Sequence, residues 1–291
     1  MFSVVIPLYN KRDCIQKTIG CVLAQTFGDY EIVVVDDGST DGSLEIVKAI
    51  ADEKLKVFTQ PNKGVSAARN TGISHASGEI IAFLDADDIW DSSYLQKQYD
   101  LISKYPDAVV YGIGYDTIQN GTKANIGKTA PFEGYVRSDW VFPFFYWTSA
   151  TTCRTNAIKE IGGFDERMTY GEDCDVWYRL LLNGKGVLSS EILAYYNKDA
   201  KSSLTGSPMP LEKHIPFFID KYQESRASNQ DFRKFFDMQM IYRLYPYLFD
   251  KKYKSMAREL AQKLDYSILK PSMKFRMLHP HFYHLIRNIK G

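Results

Sequence analysis

The chain has 291 residues, 45% of them hydrophobic and 14% aromatic, enough to bury a sizeable core, which excludes a disordered protein. A formal charge of +1 argues against a nucleic-acid binder, although residues 251–291 hold ten Lys or Arg against two acids, leaving residues 1–250 at −7. No apolar run reaches the roughly 20 residues of a membrane span, no secretory signal precedes the first strand, and Cys14, Cys21, Cys153 and Cys174 form no CxxC pair, so a cytoplasmic setting is expected.

Ser3–Pro7 is an apolar, β-branched run that predicts a central parallel strand, followed by a loop at Leu8–Lys11. Ile15, Ile19, Val22 and Leu23 mark a helix face that should end near Phe27-Gly28. Glu31–Val35 is the second strand, closed by Asp36-Asp37-Gly38-Ser39-Thr40-Asp41-Gly42. Leu44, Val47, Ile50 and Ala51 then give the next helical stripe. Leu55–Thr59 is a third strand, Val65–Ile73 a helix of small residues, and Ile80–Leu84 a fourth strand. Strands alternating with helices at this spacing predict an α/β fold with a doubly wound, mostly parallel sheet flanked by helices. The first strand–loop–helix lacks G-x-G-x-x-G, which weakens a dinucleotide-binding reading.

The fourth strand runs into Asp85-Ala86-Asp87-Asp88. In extended backbone Asp85 and Asp87 emerge on one face, a natural grip for magnesium or manganese, with water and phosphate oxygens completing the shell. The plain alternative is a solvated acidic turn. Ligands on such sheets bind beyond the carboxyl ends of the strands, where Tyr9-Asn10, Asp36-Asp37 and Asp85–Asp87 all fall.

Further on, Ala108–Gly112 is a strand, followed by a polar strand-and-loop excursion to Ala130. The aromatic run Trp140–Trp147 reads either as a core wedge or lid, or as an acceptor-binding platform that includes Trp147. Ser149–Arg154 predicts a strand and Thr155–Ile161 a helix stopped by Gly162-Gly163. Gly171-Glu172-Asp173 opens a helix, where acids in the first turn also suit the helix dipole, and Asn183-Gly184 ends it. Beyond Ser202 the pattern is helical.

Five stretches stand in order: Val4–Asn10, Val34–Asp41, Asn62-Lys63-Gly64 with Ala67–Gly72, Asp85–Asp88 and Gly171–Asp173. Together they resemble the family 2 inverting nucleotide-sugar glycosyltransferases of GT-A fold, over residues 1 to about 200. The resemblance implies a catalytic domain over 1–205, with a nucleotide-sugar half at 1–112 and an acceptor half at 113–205, and a helical extension at 206–291. It further implies that Pro7, Tyr9 and Asn10 line the donor site, that Asp37 accepts the base N–H with Asp36 beside it, and that Asp85 lies near the ribose. Asp87 would ligate Mn2+ or Mg2+ together with Asp85. Lys63 and Arg69 would offset phosphate charge, Arg69 having the alternative of bracing the Asp36-Asp37 loop. Asp173 would be the catalytic base, and Glu172 would orient the loop or contact the acceptor. Many relatives carry a third metal ligand near the end of this domain; Tyr195–Lys198 offers none, and His75 sits in an earlier turn.

The implied partners are a nucleotide-sugar donor, UDP-linked for preference, and a saccharide or polyprenol-linked acceptor of glycan synthesis. The basic tail Lys270–Lys290 suits either a peripheral contact with the inner face of the membrane or a helical pair packing on the domain or a second copy. His279, His281 and His284 within it read as surface or interface histidines. Two rival functions stand beside the enzyme. One is a nucleotidyltransferase, for which Leu8–Lys11 is not the required Gly-rich loop; the other is a non-catalytic sugar-nucleotide-binding subunit.

Overall fold

The computed structural model describes residues 1–120, 122–123, 132–136, 146–199 and 210–269. They divide into two compact units, one ending at Asp199 and the other running from Pro210 to Leu269. The domain boundary expected at 205–206 lies outside the described residues.

The first unit is a ten-stranded mixed sheet. Strands β1 (Phe2–Leu8) and β2 (Tyr30–Asp36) are buried at every position, which is why they read as unbroken apolar runs rather than alternating ones. With β3 (Leu55–Thr59) and β4 (Ile80–Phe83) they form a parallel block in the order β3-β2-β1-β4. Helices α1 (Ile15–Leu23), α2 (Ser43–Lys48) and α3 (Val65–His75) provide the crossovers. Small residues in α3 have a packing cause: a Cβ on Gly72 would stand 2.3 Å from Val5 Cγ1, so the helix backbone lies directly on β1.

The chain continues through β5 (Ile89–Trp90), α4 (Tyr94–Lys104), β6 (Ala108–Gln119), β7 (Thr122–Lys123), β8 (Glu133–Tyr135), β9 (Thr151–Arg154), α5 (Thr155–Glu160), α6 (Glu172–Asn183) and β10 (Lys185–Asn197). Sheet order continues β4-β9-β6-β10-β5. β9 runs antiparallel to both neighbours, whereas β6 and β10 return to the direction of the parallel block. The sheet is therefore mostly parallel, as expected.

Several boundaries differ from expectation. α1 stops at Leu23 and α2 at Lys48, and a 3-10 turn at Thr148–Ala150 replaces the start of the strand expected from Ser149. Helix α4 was not expected, because Tyr94 and Gln98 occupy two of its four buried positions and dilute the apolar stripe. Strand β10 was not expected either: its pairing with β6 shifts register at three points, so its side chains do not alternate. β6 itself extends past Gly112 to Gln119.

The second unit comprises α7 (Ile215–Lys221), α8 (Gln223–Ser228), α9 (Gln230–Leu244) and α10 (Lys254–Gln262). Phe218, Tyr222, Phe232 and Phe236 pack ring on ring in its core. Asp237, fully buried there, is paired with Arg226 at 2.7 Å. Among the described residues no helix is long and apolar enough to cross a membrane. The aromatic residues 140–145 and the tail 270–291 lie outside the described residues, and with them the readings placed on those segments.

At the amino-terminal edge of the sheet, Glu31 gathers four donors. Ser3 Oγ, Ser77 N–H and Ser77 Oγ reach Oε1 at 2.5, 2.7 and 2.6 Å, and Lys56 Nζ reaches Oε2 at 2.6 Å. Burial pushes the carboxyl up, but Lys56 and the serines outweigh it and hold its pKa at about 2. A depressed pKa stabilises the fold above the ordinary carboxylate value, and that contribution fades as the pH falls towards about 2. Glu31→Gln is expected to cost about 2 kcal/mol at pH 7. The difference from wild type in urea unfolding should shrink steadily below pH 4.5, the starting value of the window.

Candidate active site

Three loops meet at the carboxyl ends of β1, β2 and β4. After β1, Pro7 is buried in the strand while Tyr9 is 47% exposed, so its ring is available to a flat ligand. Asn10 adopts a left-handed φ of 51°, a conformation that Asn tolerates better than most residues. Hydrogen bonds fix it: its N–H donates to Ser39 Oγ at 3.0 Å and its Oδ1 accepts from Thr40 N–H at 2.8 Å. Lys11 N–H donates to Ser43 Oγ at 2.9 Å and Arg12 N–H to Asp41 Oδ2 at 3.0 Å. The loop after β1 is thereby fastened to the loop after β2.

Asp36 and Asp37 are both buried. Asp36 accepts from Ser39 N–H through both oxygens at 3.3 Å. Asp37 accepts from Lys63 N–H at 2.9 Å, Gly64 N–H at 2.8 Å and Gln60 Nε2 at 2.8 Å, so it holds the entry to α3. Lys63 contributes its backbone to this clasp and keeps its side chain exposed.

The acidic stretch after β4 separates into three environments. Asp85 Oδ1 is bonded to Arg69 Nη2 at 2.8 Å, and its N–H donates to Ser149 Oγ at 3.0 Å. Asp87 Oδ2 is paired with Lys11 Nζ at 2.5 Å. Burial, with Asp85 nearby, pushes the Asp87 carboxyl up despite that lysine. Asp88 turns inward and accepts from Ser149 Oγ at 2.6 Å and Asn197 N–H at 3.2 Å. Burial and the charges of Asp85 and Asp87 raise its pKa well above the ordinary range, so it retains a proton more readily than a surface aspartate.

Glu172 and Asp173 occupy the first turn of α6. Arg69, 4% exposed, donates to Glu172 Oε1 through Nη1 at 2.9 Å while holding Asp85 through Nη2. The structure thus gives Arg69 different partners from the Asp36-Asp37 loop considered as its alternative. Its guanidinium carbon lies 5.1 Å from the ring centre of Phe164. Burial and the adjacent Asp173 push the Glu172 carboxyl up, with Arg69 opposing. Asp173 faces elsewhere: Oδ1 accepts from Cys174 N–H at 2.7 Å, and Thr148 Oγ1 lies 3.5 Å from Oδ2. Beside it stands a row of partly exposed rings, Tyr115 to Trp147 at 4.6 Å between centroids and Trp147 to Tyr196 at 5.9 Å. Burial and the Asp173 charge both raise the Tyr115 pKa.

The donor set suits a hard divalent cation. Asp85 and Asp87 offer carboxylate oxygens, the donor type that such an ion takes, and their crowded negative charge is what it would relieve. Among the described residues no group of three His, Cys, Asp or Glu side chains is placed to share a metal, so water and phosphate oxygens would complete the shell. His75 stacks on Phe58 with centroids 3.7 Å apart. Sequence reasoning had not assigned roles to Lys11, Asp88, Ser149 or Asn197. Asp85–Asp88 form a turn closed by Asp88 N–H donating to the Asp85 carbonyl at 3.0 Å, so strand alternation does not hold there and gave no signal for Asp88.

The sheet, its crossover helices and the acidic crevice define a GT-A fold. The same architecture is found in Staphylococcus aureus TarS 1–349 in complex with UDP-GlcNAc, with a TM-score of 0.75 over 92% of this chain and 82% of that one, at 21% identity. Residues 3–162 match the model of glycosyl transferase family 2, and the chain belongs to that family. It is 32% identical over 211 residues to an uncharacterized glycosyltransferase of Nostoc sp., covering 67% of this chain and 63% of the relative. It is also 37% identical over 123 residues to the Escherichia coli UDP-Glc:alpha-D-GlcNAc-diphosphoundecaprenol beta-1,3-glucosyltransferase WfgD, covering 42% and 48% of the two chains. The chain thus spans less than two thirds of the length of each of these relatives.

Arg69 offers a direct test of the ionic link. Removing one member of a buried charged set leaves the others uncompensated, a cost of about 3–5 kcal/mol. Arg69→Met is therefore expected to lower stability by that order in thermal or urea unfolding. Arg69→Lys should recover only part of it, because an ammonium lacks the fork that reaches Asp85 and Glu172 together.

Proposed function

We propose that the chain is a metal-dependent, inverting glycosyltransferase acting in glycan synthesis. It moves a sugar from a UDP-linked donor to a saccharide or lipid-linked saccharide acceptor. The observation that carries this reading is the placement of an exposed aromatic ring (Tyr9), an acidic pair (Asp85 and Asp87) and a separately oriented carboxylate (Asp173) around one sheet edge. The name of WfgD specifies a UDP-glucose donor and a diphosphoundecaprenol-linked acceptor, which supports the same substrate classes here.

In this reading the base stacks on Tyr9 beside Pro7, Asn10, Asp36 and Asp37, and Asp85 lies towards the ribose. Lys63 faces the phosphates. Asp87, with Asp85, would hold Mn2+ or Mg2+, which when bound neutralises charge on the departing diphosphate. Asp173 accepts the proton of the acceptor hydroxyl as that oxygen attacks the anomeric carbon from the side opposite the leaving group, so configuration inverts. Glu172 is held by Arg69, which leaves the base role to its neighbour. Trp147 forms part of the acceptor wall. The acceptor is reached at the inner face of the membrane.

Calorimetry with UDP and GDP, each with and without Mn2+, tests the donor assignment. Metal-dependent binding of UDP is expected, and a preference for GDP would overturn the choice of base. Asp173→Asn should lower transfer from UDP-sugars to a saccharide primer panel by about 10²–10⁴-fold. The same variant should bind UDP and Mn2+ as the wild type does. Full transfer activity in it would remove Asp173 from the base role.

A further inference from the structure

The two acids proposed to hold the cation are compensated in unequal ways. Asp85 is bonded to Arg69, a buried guanidinium that also binds Glu172 and is locked between them. Asp87 is bonded to Lys11, an ammonium on a flexible four-carbon stem. Both side chains of this second pair keep contact with solvent, at 17% exposure for Lys11 and 13% for Asp87.

The backbone of Lys11 is firmly set, and its long stem carries the charge away from that fixed point. Its own N–H is bonded to Ser43 Oγ, and Asn10 and Arg12 on either side are bonded to the Ser39–Asp41 segment. The lysine therefore reaches from a fixed point into the crevice, and rotation about its stem moves the charge without moving the loop. A cation and an ammonium would both be drawn to one carboxylate, and their mutual repulsion at that range opposes joint occupancy. An arriving diphosphate changes the balance, because its oxygens offer the ammonium a second anion.

We propose that Lys11 is a placeholder on Asp87: it neutralises that carboxylate until a nucleoside diphosphate arrives, then transfers to a diphosphate oxygen and releases Asp87 to the divalent cation. This rests on the reading that Asp87 is a cation ligand. Metal and nucleotide then bind as mutually dependent ligands, and linkage requires each to tighten the other by the same factor. Lys11 is thus a positioning residue that sets this coupling, and free metal alone binds weakly because it must first displace the lysine.

The test uses the full chain and two probes, Mn2+ and UDP. Mn2+ binding without nucleotide is followed by electron paramagnetic resonance of the free ion, and UDP binding at saturating Mn2+ by calorimetry. Lys11→Met is expected to tighten Mn2+ binding in the absence of nucleotide and to weaken UDP binding in its presence, each by about tenfold. Lys11→Gln repeats the measurement should the first variant fold poorly, and Lys11→Arg, which keeps the charge, should leave Mn2+ alone as weak as in wild type. Unchanged or weaker Mn2+ binding in the neutral variants would overturn the proposal, even if UDP binding fell, since Lys11 would then be a nucleotide contact only. Asp87→Asn separates the two layers. If that variant binds Mn2+ as wild type does, the assignment of Asp87 as ligand fails, whereas loss of Mn2+ binding there with no effect of Lys11→Met sinks the placeholder alone.

Discussion

A buried guanidinium ties the end of β4 to the start of α6. Arg69 reaches Asp85 with one nitrogen and Glu172 with another, across 16 and 103 residues of sequence. A buried charge is tolerated only where its partners are close and well oriented. The carboxylates satisfy that condition and in turn depend on it. The contact also separates the roles of two adjacent acids. With Glu172 drawn to Arg69, Asp173 turns towards Thr148 and the neighbouring rings.

The polar groups at the two edges of the sheet are arranged to different ends. At the amino-terminal edge Glu31 has more donors than its charge requires, and its pKa falls. At the carboxyl edge Asp87 and Asp88 are crowded, and theirs rise. The first arrangement favours the folded state near neutral pH, whereas the second costs stability there, because ionised carboxylates are held in poorly solvated positions. Surplus negative charge at a ligand-facing edge is consistent with a site completed by cations, and such sites commonly carry a stability cost.

Much of this was legible in the chain. The parallel block could be read, though not its order, because β1, β2 and β4 are buried and apolar and helices of suitable length separate the strands. Asp85 and Asp87 could be read as candidates because they follow a buried strand, but the chain turns there, Asp88 N–H donating to the Asp85 carbonyl at 3.0 Å, instead of running extended. β10 was hidden by register shifts, and α4 by a tyrosine and a glutamine on its buried side. The Lys11–Asp87 pair spans 76 residues, and no local pattern announces a contact made only when two strands come side by side. Asp37 illustrates a subtler limit. Its place at the strand end was evident, but not that its carboxylate would bond the backbone at Lys63 and Gly64.

β9 runs against its neighbours, and its direction has an architectural consequence. Pairing of Ile80 with Arg154 and Ala82 with Thr152 means the chain enters β9 beside the point where it leaves β4. Trp147, Thr148 and Ser149 are delivered to the crevice by a strand's beginning rather than its end. The register of β9 is fixed by its pairs with β4 and β6, independent of how many residues connect Gln119 to Tyr146. The place of these three residues in the crevice is therefore set by the sheet itself, on the side where the chain comes in.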